Sequence, residues 1–524
     1  MSKIVYLPLD ERPCNSMFPA QIAALTDIQF VTPPASVLGN KKKAADHELV
    51  VEWLLKESVT ADYAIASIDM LVYGGIVPSR LHRLEEKECS RRLDVLRDLK
   101  SANPRLRIYG FNLITRAPAY NSSEEEPDYY AEHGFDLFKY GWLSDKMERE
   151  KLTPEETEEW NQVQARLPQD VLKDLLDRRR TNATLNQSTV ELVKQGTIDF
   201  LIIPLDDNSK YGFTAMEQRK LLFVVEDSRL MDRVHIYPGA DEIGCTLFAR
   251  VFCEIKQYRP EVFVRYSSTH GPTVIPKYED RSLGESIKCH LTATGAFISD
   301  SSTEADVVLM VHSAAIGQYE MAETAQPFGE RHRSYFSEVN YREFVQAIQT
   351  YAAKNKLIAL ADVAVCNGAD TVLMNLVADS GLLPSLTAYA AWNTSGNSLG
   401  TVIAHAIVAS YYRSSEQDSN QSSCSLEFYL CRLIEDWGYQ SIVRGDIVAN
   451  DLPQLGGDYF NIDHIREQVY ALIQEKIEEF IKLRLKDFQL DRFKLTDIRL
   501  PWNRMFELDF KLELDRKQQP SLLR

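Results

Sequence analysis

The sequence predicts an α/β protein: mostly parallel sheets flanked by helices, in two lobes with a small C-terminal α+β element. Three observations predict it. Ten short apolar runs recur along the chain: KIVYLPL, DYAIASI, LRIYGFNLI, DFLIIPL, VHIYPG, VFVRYSS, GAFIS, DVVLMV, KLIALADV and LTAYAAW. Their apolarity is continuous rather than alternating, the habit of strands covered on both faces in parallel sheets. Between them lie segments of helical spacing, among them 181–195, 217–226, 282–292, 341–354 and 397–411, and strand–helix alternation is the pattern of βαβ units.

Ten runs exceed what one eight-stranded barrel uses, so a single (β/α)8 barrel with an inserted cap is the alternative architecture. The first lobe is expected over 1–260, the second over 261–412 and the C-terminal element over 426–524. Within the first, residues 121–180 turn acidic and aromatic (NSSEEEPDYYAEHGFDLFKYGWLSD) and then helical and strongly charged. A connection of that length reads as a cap, lid or oligomer contact. RSSEQDSNQSSCS at 413–425 reads as a polar linker. Beyond it, 465–485 has helical periodicity and MFELDFKLEL alternates as a strand. No internal repeat is evident.

Composition excludes several classes. At 524 residues the chain exceeds a single core. The net charge of −17 argues against a nucleic-acid partner, because neutralising phosphates needs a basic face. The N-terminal apolar run breaks at Pro8 and Asp10, too short for a signal peptide, and no stretch approaches the roughly 18 apolar residues of a membrane span. A cytoplasmic protein without a membrane partner is expected. Eight cysteines without CxxC spacing fit reduced thiols rather than a zinc finger.

The chemistry is expected where the runs end. PLDD (204–207) closes one run and PGADEIG (238–244) closes the next, each with paired acids. A turn or N-cap needs one such residue, and carboxylates gathered at one sheet edge must be balanced by arginine, a metal or a ligand. Neighbouring carboxylates force their proton affinities apart, leaving one a competent acid, which is what glycoside hydrolysis requires. Asp206, Asp207, Asp241 and Glu242 are therefore the candidate catalytic residues. The substrate-binding candidates come from other run ends: Asp10 and Arg12 (PLDERPCN), Asp69 (SIDMLVYGG), Arg116 and Tyr120 (RAPAY), and Trp392, Asn393 and Asn397 (WNTSGN). Arg116 suits a substrate carboxylate, and Trp392 offers a ring face to a sugar. Asn182 and Asn186 share a helical face that reads either as reaching the site or as a solvated basic helix.

No cofactor is predicted. GxGxxG, GxxxxGK[ST] and GxSxG patterns are missing, and so are HxH, HExxH and EF-hand spacings. A divalent metal held by remote acids with His270 or His312 stays open.

PLDERPCN, DMLVYGG, PAYNSSEEEPDYY, PLDDNSKYG, YPGADEIG, NGAD and AYAAWNTSGNSLGT together resemble a large bacterial family known only as a domain of unknown function. The likeness covers nearly the whole chain and implies a soluble bacterial protein of about this size. It brings no activity and no catalytic residues. The expected function is a hydrolase acting on a glycoside or similar polyhydroxylated small substrate by carboxylate acid/base chemistry. The alternatives are a divalent-metal-dependent isomerase or amidohydrolase, and a non-catalytic small-molecule binding protein. Oligomeric state is not legible.

Overall fold

The computed structural model describes residues 1–414, 419–488 and 493–514. All ten apolar runs form strands, and three more appear: β1 (Lys3–Leu7), β2 (Gln29–Val31), β3 (Tyr63–Ser67), β4 (Arg107–Phe111), β5 (Phe200–Leu205), β6 (Val234–Pro238), β7 (Glu261–Tyr266), β8 (Phe297–Ile298), β9 (Val307–Ser313), β10 (Ile358–Val363), β11 (Ala388–Ala390), β12 (Phe493–Arg499) and β13 (Asp509–Leu514). They build two open parallel sheets, ordered β2-β1-β3-β4-β5-β6 and β11-β10-β9-β7-β8, plus the antiparallel pair β12-β13. Neither sheet closes as the barrel alternative requires. One outer strand of each sheet, β2 and β8, is short and has no buried residue, the usual way an edge avoids further pairing. The central strands β5, β9 and β10 are buried at every position.

The chain divides into two compact units. The first comprises Met1–Ala20, Ile28–Leu247 and Tyr278–Arg281 and holds the six-stranded sheet. The second comprises Gln21–Asp27, Phe248–Lys277 and Ser282–Arg524 and holds the five-stranded sheet and the β12-β13 pair. In the first unit the acidic–aromatic insertion becomes three helices, Tyr130–Arg149, Pro154–Arg166 and Gln169–Lys194, gathered on a small apolar cluster with Tyr130, Leu137, Val163, Leu175 and Phe213.

Two local readings need correcting. The serine-rich stretch is not all linker. The helix Ser395–Ser414 precedes it, residues 415–418 lie outside the described part, and Ser419 opens a helix to Arg432. That helix carries Tyr429, Leu430 and Cys431 into the main core of the second unit, and tertiary packing of this apolar end overrides the turn preference of its serines. The final strand begins at Asp509, and its partner β12 went unread because its inward positions are only partly apolar.

Candidate functional site

The carboxyl ends of β1, β3, β4, β5 and β6 bring most of the expected residues together in the first unit. Past β1, Asp10 accepts from the Arg12 backbone N–H (2.9 Å) and from Asn15 Nδ2 (3.0 Å), and binds Arg12 Nε (2.9 Å) and Nη2 (2.7 Å). Arg12 Nη2 also reaches Asp241 Oδ1 at 2.5 Å, and Asn15 Nδ2 donates to the same oxygen at 2.9 Å. Four strand spacings separate β1 from β6, about 19 Å if the sheet were flat. The loops past β1 and β6 therefore reach across the strand ends between them to make this contact. The packing is close here: a Cβ on Gly244, after β6, would lie 2.1 Å from the Tyr6 hydroxyl of β1.

A second group forms a closed ring of charge. Arg80, on the helix Ile76–Leu81, donates through Nη2 to Asp206 (2.7 Å) and through Nη1 to Glu125 (3.0 Å) and Glu126 (3.3 Å). Arg116 donates through Nη1 to Asp207 (3.0 Å), through Nη2 to Glu125 (3.1 Å) and through Nε to Glu126 (2.9 Å). Glu125 and Glu126 thus bridge both guanidiniums, and each member of the Asp206–Asp207 pair is held by a different one. Asp207 sits in the left-handed region (φ 33°), so the chain turns sharply enough for neighbouring carboxylates to serve one network.

Beneath the ring, Asp69 follows Ser67, whose hydroxyl caps the helix Ile68–Tyr73 by accepting from the Met70 N–H at 3.1 Å. The Asp69 carboxylate accepts from the Leu113 N–H (2.9 Å) and Asn112 Nδ2 (3.3 Å). Asn112 in turn accepts from Asn186 Nδ2 at 2.8 Å, and Asn182 donates to the Ser79 carbonyl at 3.1 Å. The Asn182–Asn186 face of the long helix is therefore buried against the strand ends, not solvated.

These carboxylates divide by environment. Burial pushes Asp69 up to about 7, reinforced by the nearby charge of Asp206. Burial raises Asp207 to about 6, with Arg116 opposing and Asp206 reinforcing. Asp241 is also raised by burial against the pull of Arg12. Access divides them too. The Asp207 side chain is 23% exposed and that of Asp206 8%, while Tyr120, coupled electrostatically to Arg116 and Asp207, is 46% exposed. Glu242 is fully buried and turns back to accept from the Ala240 N–H at 2.9 Å. Gly239 (φ 151°) leaves the room, since a Cβ there would meet Glu242 Oε1 at 2.0 Å.

The remaining expected residues lie in the second unit. Trp392 is 1% exposed, so its ring is a core element. Asn393 has φ 57°, and its carbonyl accepts from the Asn367 N–H at 2.9 Å. Asn397 lies in the first turn of the helix Ser395–Ser414, and its carbonyl accepts from Thr401 Oγ1 at 2.9 Å. His312 is buried between Ser267 Oγ (2.9 Å from Nδ1) and Asp370 Oδ2 (3.0 Å from Nε2), while His270 is exposed near Glu338. Among the described residues no three His, Cys, Asp or Glu side chains are grouped to hold a metal ion.

Sequence reasoning missed Arg80, which sits in an unremarkable helical stretch with no motif around it. It also passed over Glu125 and Glu126 as part of an acidic insertion, although a triple glutamate before a proline was the available signal. Comparison with curated proteins finds no match. A family model described as "Protein of unknown function (DUF4127)" matches residues 4–511, from the start of β1 into β13. Nearly every element described above falls within that span, and the chain belongs to this family.

Proposed function

We propose that the first unit is a hydrolase acting on a glycoside or similar polyhydroxylated small substrate, with Asp207 as the general acid. One observation carries the reading. Two adjacent carboxylates are placed by separate arginines in one partly accessible network, and only Asp207 combines solvent access with a proton affinity lifted to about 6. An acid poised near neutrality can protonate a leaving oxygen, while a neighbouring carboxylate supplies negative charge for the cationic transition state. Asp206 supplies that charge. Asp10, Arg12 and Asp241, buried and bonded to one another, hold the loops past β1 and β6 together, and Arg116 and Tyr120 border Asp207. Glu242 holds the turn that places Asp241.

The test is a panel of chromogenic glycosides and small oligosaccharides. Asp207→Asn and Asp206→Asn are expected to lower kcat by about 10²–10⁴-fold with the fold intact. The rate should fall as pH rises above about 6, as Asp207 loses its proton. Repeating the panel with chelator and with added Mg²⁺, Mn²⁺ or Zn²⁺ checks the divalent-metal isomerase or amidohydrolase reading. Ligand-induced stabilisation without turnover would favour the binding-protein reading. Turnover that survives both substitutions overturns the assignment.

A further inference from the structure

The second unit contains a cavity of about 500 Å³ beside the edge strand β11, within the size range of small-molecule sites. Its apolar wall includes Leu357, Leu386, Leu426, Tyr429 and Phe488. Among the described residues its charged lining is Lys356 and Arg413, with no Asp or Glu. In a chain with 76 acidic and 59 basic residues, two cations without an acid among the described lining residues invert the overall balance. Lys356 Nζ donates to the carbonyls of Thr303 (2.6 Å) and Ala305 (3.4 Å). Arg413 donates through Nη2 to the carbonyl of Asn355 (3.0 Å) and to its side chain. Asn355 adopts φ 52°, a turn conformation that helps set this anchor. Among the described residues Arg413 has no carboxylate partner, and its Nε and Nη1 make no hydrogen bond. An exposed guanidinium fixed by one edge beside an apolar wall presents its other edge to a ligand.

We propose that this cavity binds a small monoanionic amphiphile, a carboxylate with an aliphatic or aromatic tail. The head group pairs with Arg413 and Lys356, and the tail lies on the leucines, Tyr429 and Phe488. The site is independent of the carboxylate network in the first unit and of its hydrolytic reading.

Calorimetric titration with octanoate, octanol and octylammonium tests it, since the three share a tail and differ in charge. Octanoate should bind at one saturable site, octanol about tenfold more weakly and octylammonium without measurable heat, because a charge-assisted hydrogen bond is worth about one decade or more. Arg413→Glu lies on an exposed helix end, so the fold should persist, and octanoate affinity should drop at least tenfold. Leu426→Trp should fill the cavity and weaken octanoate and octanol alike. Absence of saturable octanoate binding, equal binding of octylammonium, or full octanoate affinity in Arg413→Glu overturns the proposal.

Discussion

The two sheets are laid out alike and finished differently. In each, the first strand is flanked on one side by the second and on the other by the third, fourth and fifth: β1 to β5 in one unit and β7 to β11 in the other. This is the doubly wound order whose carboxyl edge offers a ligand crevice where the winding reverses. Both edges carry acids and cations. In the second unit Asp362, Asp370 and His312 are at most 1% exposed. Asp370 binds Arg331 (3.0 Å), His312 (3.0 Å) and the Tyr341 hydroxyl (2.8 Å), and caps the helix Thr371–Asp379 through the Val372 N–H at 3.1 Å. An apolar cluster including Met321, Tyr335 and Val365 forms beside these strand ends. In the first unit the ring of Arg80, Arg116 and four carboxylates reaches solvent at Asp207. Charged strand ends therefore do not mark a site by themselves; access does.

The largest effect that could break this contrast is expected at Asp370. Asp370→Ala strands the buried Arg331 and removes a helix cap, and should lower stability by about 3–5 kcal/mol in urea unfolding. Asp207→Ala leaves Arg116 with both glutamates, and should cause no loss of stability above about 1 kcal/mol. Equal losses at the two positions would mean that both edges are scaffolding.

Next in size is the ring itself. Arg80→Met removes the cation shared by Asp206, Glu125 and Glu126, leaving buried carboxylates with less compensation, and should lower stability by about 2–3 kcal/mol. Arg116→Met should lose less, because its side chain is 12% exposed against 4% for Arg80 and its partner Asp207 is wetter. Chemical denaturation of the two variants gives the order, and the reverse order would place the open side at Arg80.

How much of this could be read beforehand follows from what each feature depends on. The ten apolar runs were legible because double-sided burial writes itself into consecutive residues, as FLIIPL in β5 shows. β2 was not, because QFV is a three-residue edge strand whose structure comes from its parallel pairing with β1. The shared strand order left no repeat in the sequence, since topology constrains where apolar residues recur but not which they are. Asp10, Asp206, Asp207 and Asp241 were legible because paired acids after buried strands need compensation. The compensator Arg80 was not: it arrives 126 residues before Asp206 in sequence, through a contact that no local pattern encodes. The neighbours of Trp392 suggest a ligand surface, whereas packing places its ring in the core.

A smaller effect should appear in the pH dependence of stability. The Asp207 pKa of about 6 lies above its unfolded value of about 3.9, so the folded chain holds more protons between pH 4 and 6. Stability from this group therefore falls as pH rises through that window and stays low above it. With a quarter of the side chain in solvent, the fall should be about 1–2 kcal/mol rather than the full linkage value. Asp207→Asn should remove it, so that the gap between variant and parent widens between pH 4 and pH 6.5 in thermal unfolding. Parallel curves would show that Asp207 titrates like an ordinary surface acid.

The smallest expected change in stability sharpens the contrast most for function. Tyr120 at the ring is 46% exposed, and Tyr319 in the second unit is 83% exposed. Replacing either with Ala should shift stability by less than about 0.5 kcal/mol, as surface substitutions away from caps and cores do. Their effects on ligand handling should differ, because Tyr120 stands beside Arg116 and Asp207, whereas Tyr319 belongs to a short turn, Gln318–Glu320, with no buried residue. Tyr120→Ala should raise KM for any glycoside that the protein turns over, while Tyr319→Ala should leave kcat and KM unchanged. If Tyr120→Ala were silent in both, substrate would have to approach Asp207 from a side that its ring does not border, and the open face assigned to the first unit would need to be moved.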